Sequence, residues 1–185
     1  ICALLSFAIF SQEIPDVPTE QTSVYDSSNL LSLSEKNALE KKLIKYADST
    51  STQIVIATVN TIGNNDISRY ATEWAHKWGI GQEDEDNGIF ILVAKNDRKM
   101  TIRTGYGTEH LLTDSWSGRI IRNVLAPNFK ENRYYQGFDE ATDIIINIMD
   151  GEYVNDNPQS EGSGIPIGLI LFIIFIILVI VLSKS

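Results

Sequence analysis

The chain has 185 residues, with 15 Lys and Arg against 24 Asp and Glu and a formal net charge of −9. Such an acidic surface disfavours nucleic acid and anionic headgroups as general partners, and no basic stripe with interleaved aromatics interrupts it. The single cysteine, Cys2, lies in an apolar run expected to be removed, which excludes disulfides and a cysteine nucleophile from the mature chain.

Residues 1–11 begin with ICALLSFAIF, too short to span a bilayer and suited to the apolar region of a secretory signal. Residues 12–22 hold Pro15 and Pro18 and read as a polar leader. The folded domain is expected over 23–151. Ser32 and Glu35 have capping-box spacing ahead of a helical pattern at Leu39, Leu43 and Tyr46. Gln53–Val59 is β-branched and reads as a strand. Asp66 can cap a helix carrying Tyr70, Trp74 and Trp78 at i, i+4 and i+8, and Gly79 and Gly81 end it. Residues 89–94 read as a central strand buried on both faces, a turn follows at 96–99, and 100–104 returns. Thr113 caps a helix expected to run through Val124 and stop before Pro127. The last helix, 136–149, carries Phe138, Ala141, Ile145 and Ile148.

Strand 53–59, helix 66–78 and strand 89–94 form a βαβ unit, so those two strands are expected to be parallel. Strand 100–104 adds antiparallel. The expected fold is α/β, a three-layer α/β/α sandwich with a small mixed β-sheet. Residues 152–164 hold Asn, Asp, Pro, Ser and Gly and read as a flexible tether. Residues 165–182, IPIGLILFIIFIILVIVL, carry no charge and are long enough to cross a hydrocarbon core of roughly 30 Å as a C-terminal transmembrane helix. Lys184 follows, as expected on the cytoplasmic side. The predicted topology is a single-pass cell-membrane protein with its domain on the periplasmic or extracytoplasmic side.

No P-loop, G-x-S-x-G, H-E-x-x-H or C-x-x-C is present. His76 lies mid-helix and reads as surface or packing, and His110 follows Glu109. Neither completes a triad. The run Glu83-Asp84-Glu85-Asp86-Asn87-Gly88 superficially suggests an EF-hand, but Ala94 then stands where the bidentate Glu belongs. Hairpin geometry offers another use for these residues. The residues leading into the first strand should lie beside those leaving the second, so Asp86, Asn87 and Gly88 should share one sheet edge with Gly105, Gly107 and Glu109. Asp114 follows closely. Several hard oxygens from two loops suit Ca²⁺ or Mg²⁺ rather than zinc. Gly105 and Gly107 would let the backbone turn with positive φ and approach a ligand closely. The plainer reading is a solvated acidic loop and a simple strand exit.

Taken in order, Val24-Tyr25-Asp26, Trp78-Gly79-Ile80-Gly81, Asp86-Asn87-Gly88, Lys95-Asn96-Asp97-Arg98, Gly105-Tyr106-Gly107 with Glu109, Leu112-Thr113-Asp114, Pro127-Asn128-Phe129 and Tyr134–Phe138 resemble a TPM domain. The resemblance implies an α/β/α fold and an acidic pocket for a divalent cation, with Asp26, Asp86, Asn87, Glu109 and Asp114 as the matching ligands. Members include accessory proteins of membrane complexes and bacterial membrane-anchored proteins, and acid phosphatase activity has been attributed to some. Two functions follow as expectations. One is a membrane-anchored accessory module that binds a membrane-protein partner, with a Ca²⁺-type acidic site. The other is a divalent-metal acid phosphatase.

Overall fold

The computed structural model of the chain describes residues 12–81 and 86–151. The segments read above as signal, tether and membrane span lie outside the described residues, as do Glu83, Asp84 and Glu85. The chain divides into two units, Ile1–Tyr153 and Val154–Ser185, and every described residue falls in the first. Among the described residues no helix is long and apolar enough to cross a membrane.

Four strands form one mixed sheet in the order β1 (Val24–Asp26), β2 (Gln53–Val59), β3 (Gly88–Ala94) and β4 (Lys99–Thr104). The first three are parallel, and β4 is antiparallel to β3. β1 is too short to announce itself in the sequence. It exists as a strand because Val24, Tyr25 and Asp26 pair with Ile56, Ala57 and Thr58 of β2.

Every residue of β3 is buried, as a central parallel strand covered on both faces requires. Alternation sorts its side chains. Ile89, Ile91 and Val93 join Ile54, Ile56 and Ile102 in a core completed by Leu39, Leu43 and Phe138 of two helices. Phe90 and Leu92 join Val55 and Ala57 against Tyr70, Ala71 and Trp74 of a third. These helices are α1 (Leu33–Thr50) and α5 (Tyr134–Met149) on the first face and α2 (Ile67–Trp78) on the second.

The helix starts follow from local chemistry. Ser32 and Glu35 form the expected reciprocal capping box on α1. Asp66 caps α2 by accepting from the Arg69 amide at 2.9 Å, and Gly79 closes that helix in the left-handed conformation with φ 62°. The leader lies along α2. Tyr70 Oη, Lys77 Nζ and Trp78 Nε1 donate to the carbonyls of Glu13, Ile14 and Pro15 at 2.9, 3.0 and 3.0 Å.

One expected boundary is corrected. Helix α3 (Asp114–Ile120) does not stop before Pro127 but runs through a π-helical turn, Ile121–Leu125, into α4 (Ala126–Lys130). Proline has no amide to donate and its ring crowds the carbonyl one turn back. Here Pro127 sits in the first turn of α4, where the amide has no helical acceptor. The wider turn before it, closed by the Ala126 amide on the Ile121 carbonyl, carries the chain past that point.

Tyr46 ties the ends of α1 and α5 together, donating from its hydroxyl to Asp150 Oδ1 at 3.1 Å. Burial, then the Asp150 carboxylate, push its pKa up from 10.0 to about 12. The unfolded chain ionises this phenol first, so its contribution is complete below pH 10 and is lost as pH rises toward 12. Tyr46→Phe should therefore be less stable than the parent by about 1 kcal/mol at neutral pH. The gap should close as pH rises from 10 to 12. Urea denaturation of both proteins across that range checks it, and a gap independent of pH contradicts it.

Candidate functional site

The outer end of the β3–β4 hairpin is stitched together beyond the last strand pair. Gly105 donates its amide to the Gly88 carbonyl at 2.8 Å, and Gly107 donates to the Asp86 carbonyl at 3.1 Å. The Asp86 side chain adds a third tie, Oδ2 accepting from the Tyr106 amide at 3.1 Å. Beneath them the buried Thr108 hydroxyl shares its one proton between the carbonyls of Gly105 and Gly88, at 3.1 and 3.3 Å.

Two glycines make this clamp possible, for a reason different from the one expected. Neither Gly105 nor Gly107 has positive φ. Gly105 is needed for close approach, since a Cβ there would lie 2.1 Å from the Asp86 carbonyl oxygen. At Gly88 a Cβ would lie 2.3 Å from the Ile80 carbonyl oxygen. The left-handed residue at this edge is Asp86 itself, at φ 47°.

The five residues matched as cation ligands do not converge. Asp86 and Glu109 line one cleft. Asn87 is buried and its Nδ2 donates to the Ser51 carbonyl at 2.9 Å, a structural tie to the end of α1. Asp114 opens α3 with its side chain 87% exposed, and Oδ1 lies 3.6 Å from Arg103 Nη1. Asp26 stands at the opposite end of the sheet, level with Thr58. Its oxygens accept from the Leu30 and Leu31 amides at 3.1 and 2.8 Å and from the Thr58 hydroxyl at 2.5 Å. It shapes the turn after β1.

The cleft at the clamp has a volume of about 200 Å³ and runs between α2 and the ends of β3 and β4. Thr72 and His76, one helical turn apart on α2, face Asp86, Arg103, Tyr106 and Glu109 across it. Arg103 is the residue that sequence reasoning missed. It pairs with Phe90, so alternation places it on the α2 face of the sheet. Its Nε is buried and has no hydrogen-bond partner among the described residues. The available signal was a lone arginine inside a strand, opposite an aromatic core position. His76 and His110 are both exposed, as the surface reading of His76 expects, and His76 lines this cleft from α2.

A calcium ion takes six to eight oxygen ligands. Among the described residues no group of three or more His, Cys, Asp and Glu side chains could hold a metal. Asp86 already spends one oxygen on the Tyr106 amide, and the Arg103 guanidinium in the same cleft opposes a second cation. These residues alone do not make a complete hard-cation site. They make a polar cleft of mixed charge beneath a rigid loop.

Comparison with known proteins places this architecture. The TPM domain profile matches residues 24–148, most of the chain. The chain is also similar to three solution NMR structures. The N-terminal domain of a P. gingivalis protein superposes with a TM-score of 0.64 at 27% identity, covering 69% of this chain and 82% of that one. BA42 from the psychrophilic bacterium Bizionia argentinensis gives a TM-score of 0.58 at 18% identity, covering 71% and 94%. The N-terminal domain of cg2496 from Corynebacterium glutamicum gives 0.55 at 12% identity, covering 81% and 94%. The latter two share the fold alone. Among curated proteins no match was found. The chain belongs to the TPM domain family.

The clamp predicts unequal costs at two glycines. Gly79→Ala meets nothing within 4 Å and pays only for its φ of +62°, about 1 kcal/mol. Gly105→Ala must push Asp86 aside and should cost about 3 kcal/mol. Urea denaturation of both variants tests the ranking, and equal losses would contradict the close approach.

Proposed function

We propose that this chain is a membrane-tethered accessory module acting on the extracytoplasmic side, and that it recognises a membrane-protein partner through the edge around Tyr106. The observation that carries the reading is Tyr106 itself. Its side chain is 79% exposed, yet its backbone is fixed by the Asp86 carboxylate and by the Gly107 and Gly105 amides on either side. A large amphipathic ring held out on a rigid frame binds without paying to order a loop, which is why tyrosine is enriched at binding hot spots. Leu111 is exposed a few residues on. The apolar run at 165–182 supports the tether and the topology.

The Ca²⁺ or Mg²⁺ implied by the family enters this reading as an interfacial ion. Asp86 and Glu109 would supply two carboxylates, and the partner would have to complete the coordination.

A second reading, a divalent-metal acid phosphatase, is favoured by one observation. The Arg103 guanidinium lines the same cleft as two carboxylates, and a guanidinium is suited to hold a phosphate oxygen pair. Under the accessory reading, the full chain supplied with Ca²⁺, Mg²⁺ or Mn²⁺ turns over no phosphomonoester.

Photo-crosslinking in native membranes tests the principal reading. A benzoylphenylalanine replacing Tyr106 should give one discrete adduct, and the same probe replacing Leu33, 75% exposed at the start of α1, should give none. In an otherwise native chain, Tyr106→Ala should lower co-purification of the crosslinked protein about ten-fold, with an unchanged melting temperature. Equal labelling from both positions would sink the proposal.

A further inference from the structure

The opposite end of β3 carries a different surface. Four of the chain's 15 Lys and Arg residues, Lys95, Arg98, Lys99 and Lys130, line one cleft of about 510 Å³ between the β3–β4 turn and the α4–α5 corner. Its apolar lining includes Met100 and Phe129. All four cations are exposed, and none is ion-paired among the described residues.

Like charges gathered on an acidic protein need a reason. The carboxylates that could neutralise them are committed elsewhere. Asp97, inside the same turn, accepts from the Thr61 hydroxyl and the Ile62 amide at 2.9 and 2.8 Å. Glu131, next to Lys130, pairs with Arg133 at 2.9 Å. Lys95 Nζ donates to the Ser28 carbonyl at 3.2 Å, a residue outside the cleft lining, so Lys95 contributes at the cleft's margin. Helix α5 begins at Tyr134, a lining residue, and Arg133 ahead of it makes no side-chain capping bond. The positive end of a 16-residue helix therefore adds to the field. Arg98 stands at φ 51°, a left-handed conformation that glycine adopts at no cost and arginine only under strain. An arginine there gives up some stability and supplies a guanidinium.

The geometry points to a binding site in this cleft for a phosphate group attached to an apolar moiety. Three ammonium groups and a guanidinium supply more than enough positive charge and N–H donors for the one or two negative charges of a phosphate group, and Phe129 and Met100 offer a surface for the organic part. The cleft has the volume of an ordinary small-molecule site. A soluble phosphoester and a phospholipid headgroup both carry this chemistry. The site lies at the far end of the sheet from Tyr106 and stands independently of the partner reading above.

The probe is phenylphosphonate, which holds a ring beside the anion and has no ester to hydrolyse. It is titrated calorimetrically into the full chain in a non-ionic detergent, with inorganic phosphate in parallel. Saturable binding is expected, tighter for phenylphosphonate and weakened by salt. Lys99→Glu with Lys130→Glu should raise Kd about ten-fold or more. Arg98→Gly should raise Kd about three-fold while the melting temperature holds or rises, because glycine relieves the left-handed strain. Tyr106→Ala should leave Kd unchanged. The source is then assigned in nanodiscs. Affinity that falls when phosphatidylglycerol is added to phosphatidylcholine identifies the headgroup as occupant, and equal affinity in both identifies a soluble ligand. No saturable binding, or binding that survives the double charge reversal, overturns the proposal.

Discussion

Gly105 lies so close to Asp86 that no side chain fits between them. That approach lets the Gly105, Tyr106 and Gly107 amides all find acceptors on the segment leading into β3. The rest of the functional edge depends on it. It fixes where Tyr106 emerges, sets Glu109 one turn further on, and closes one wall of the cleft that α2 completes with Thr72 and His76. A hairpin with loose outer ends would have the same residues without a shared surface.

The sheet thus presents two chemically different ends. At the clamped end, acidic and amide groups surround a single guanidinium beneath an exposed aromatic ring. At the turn end, cations gather over Met100 and Phe129. The sorting is a consequence of strand direction. β4 runs antiparallel to β3, so the residues before β3 and after β4 meet at one end, and the turn residues from Lys95 to Arg98 stand at the other. An acidic chain keeps its positive surface local in this way, within the range over which salt leaves charges unscreened.

Much of this was legible in the sequence wherever one local rule decided the outcome. Ser32 with Glu35, Asp66 and Thr113 announce helix starts because capping is local hydrogen-bond chemistry. The shared edge of Asp86 and Gly105 follows from hairpin geometry. What escaped depends on partners distant in the chain. β1 is a strand only because β2 accepts it. The continuation through Pro127 needs a π-helical turn that no local pattern signals. Arg103 enters the cleft through a register that pairs it with Phe90. Asp26, matched by motif as a ligand, holds the turn after β1 with its carboxylate, at the end of the sheet away from Asp86, a placement that no local pattern in the sequence gives.

The central claim is that the Tyr106 loop is rigid at the backbone while exposed at the side chain. Amide hydrogen exchange of the full chain, read at residue level, tests it directly. The Tyr106 and Gly107 amides should exchange on the order of a hundred-fold more slowly than an unstructured chain, and Asp86→Ala should release the Tyr106 amide. Exchange of both amides at unstructured rates in the parent chain would contradict the clamp and the binding surface built on it.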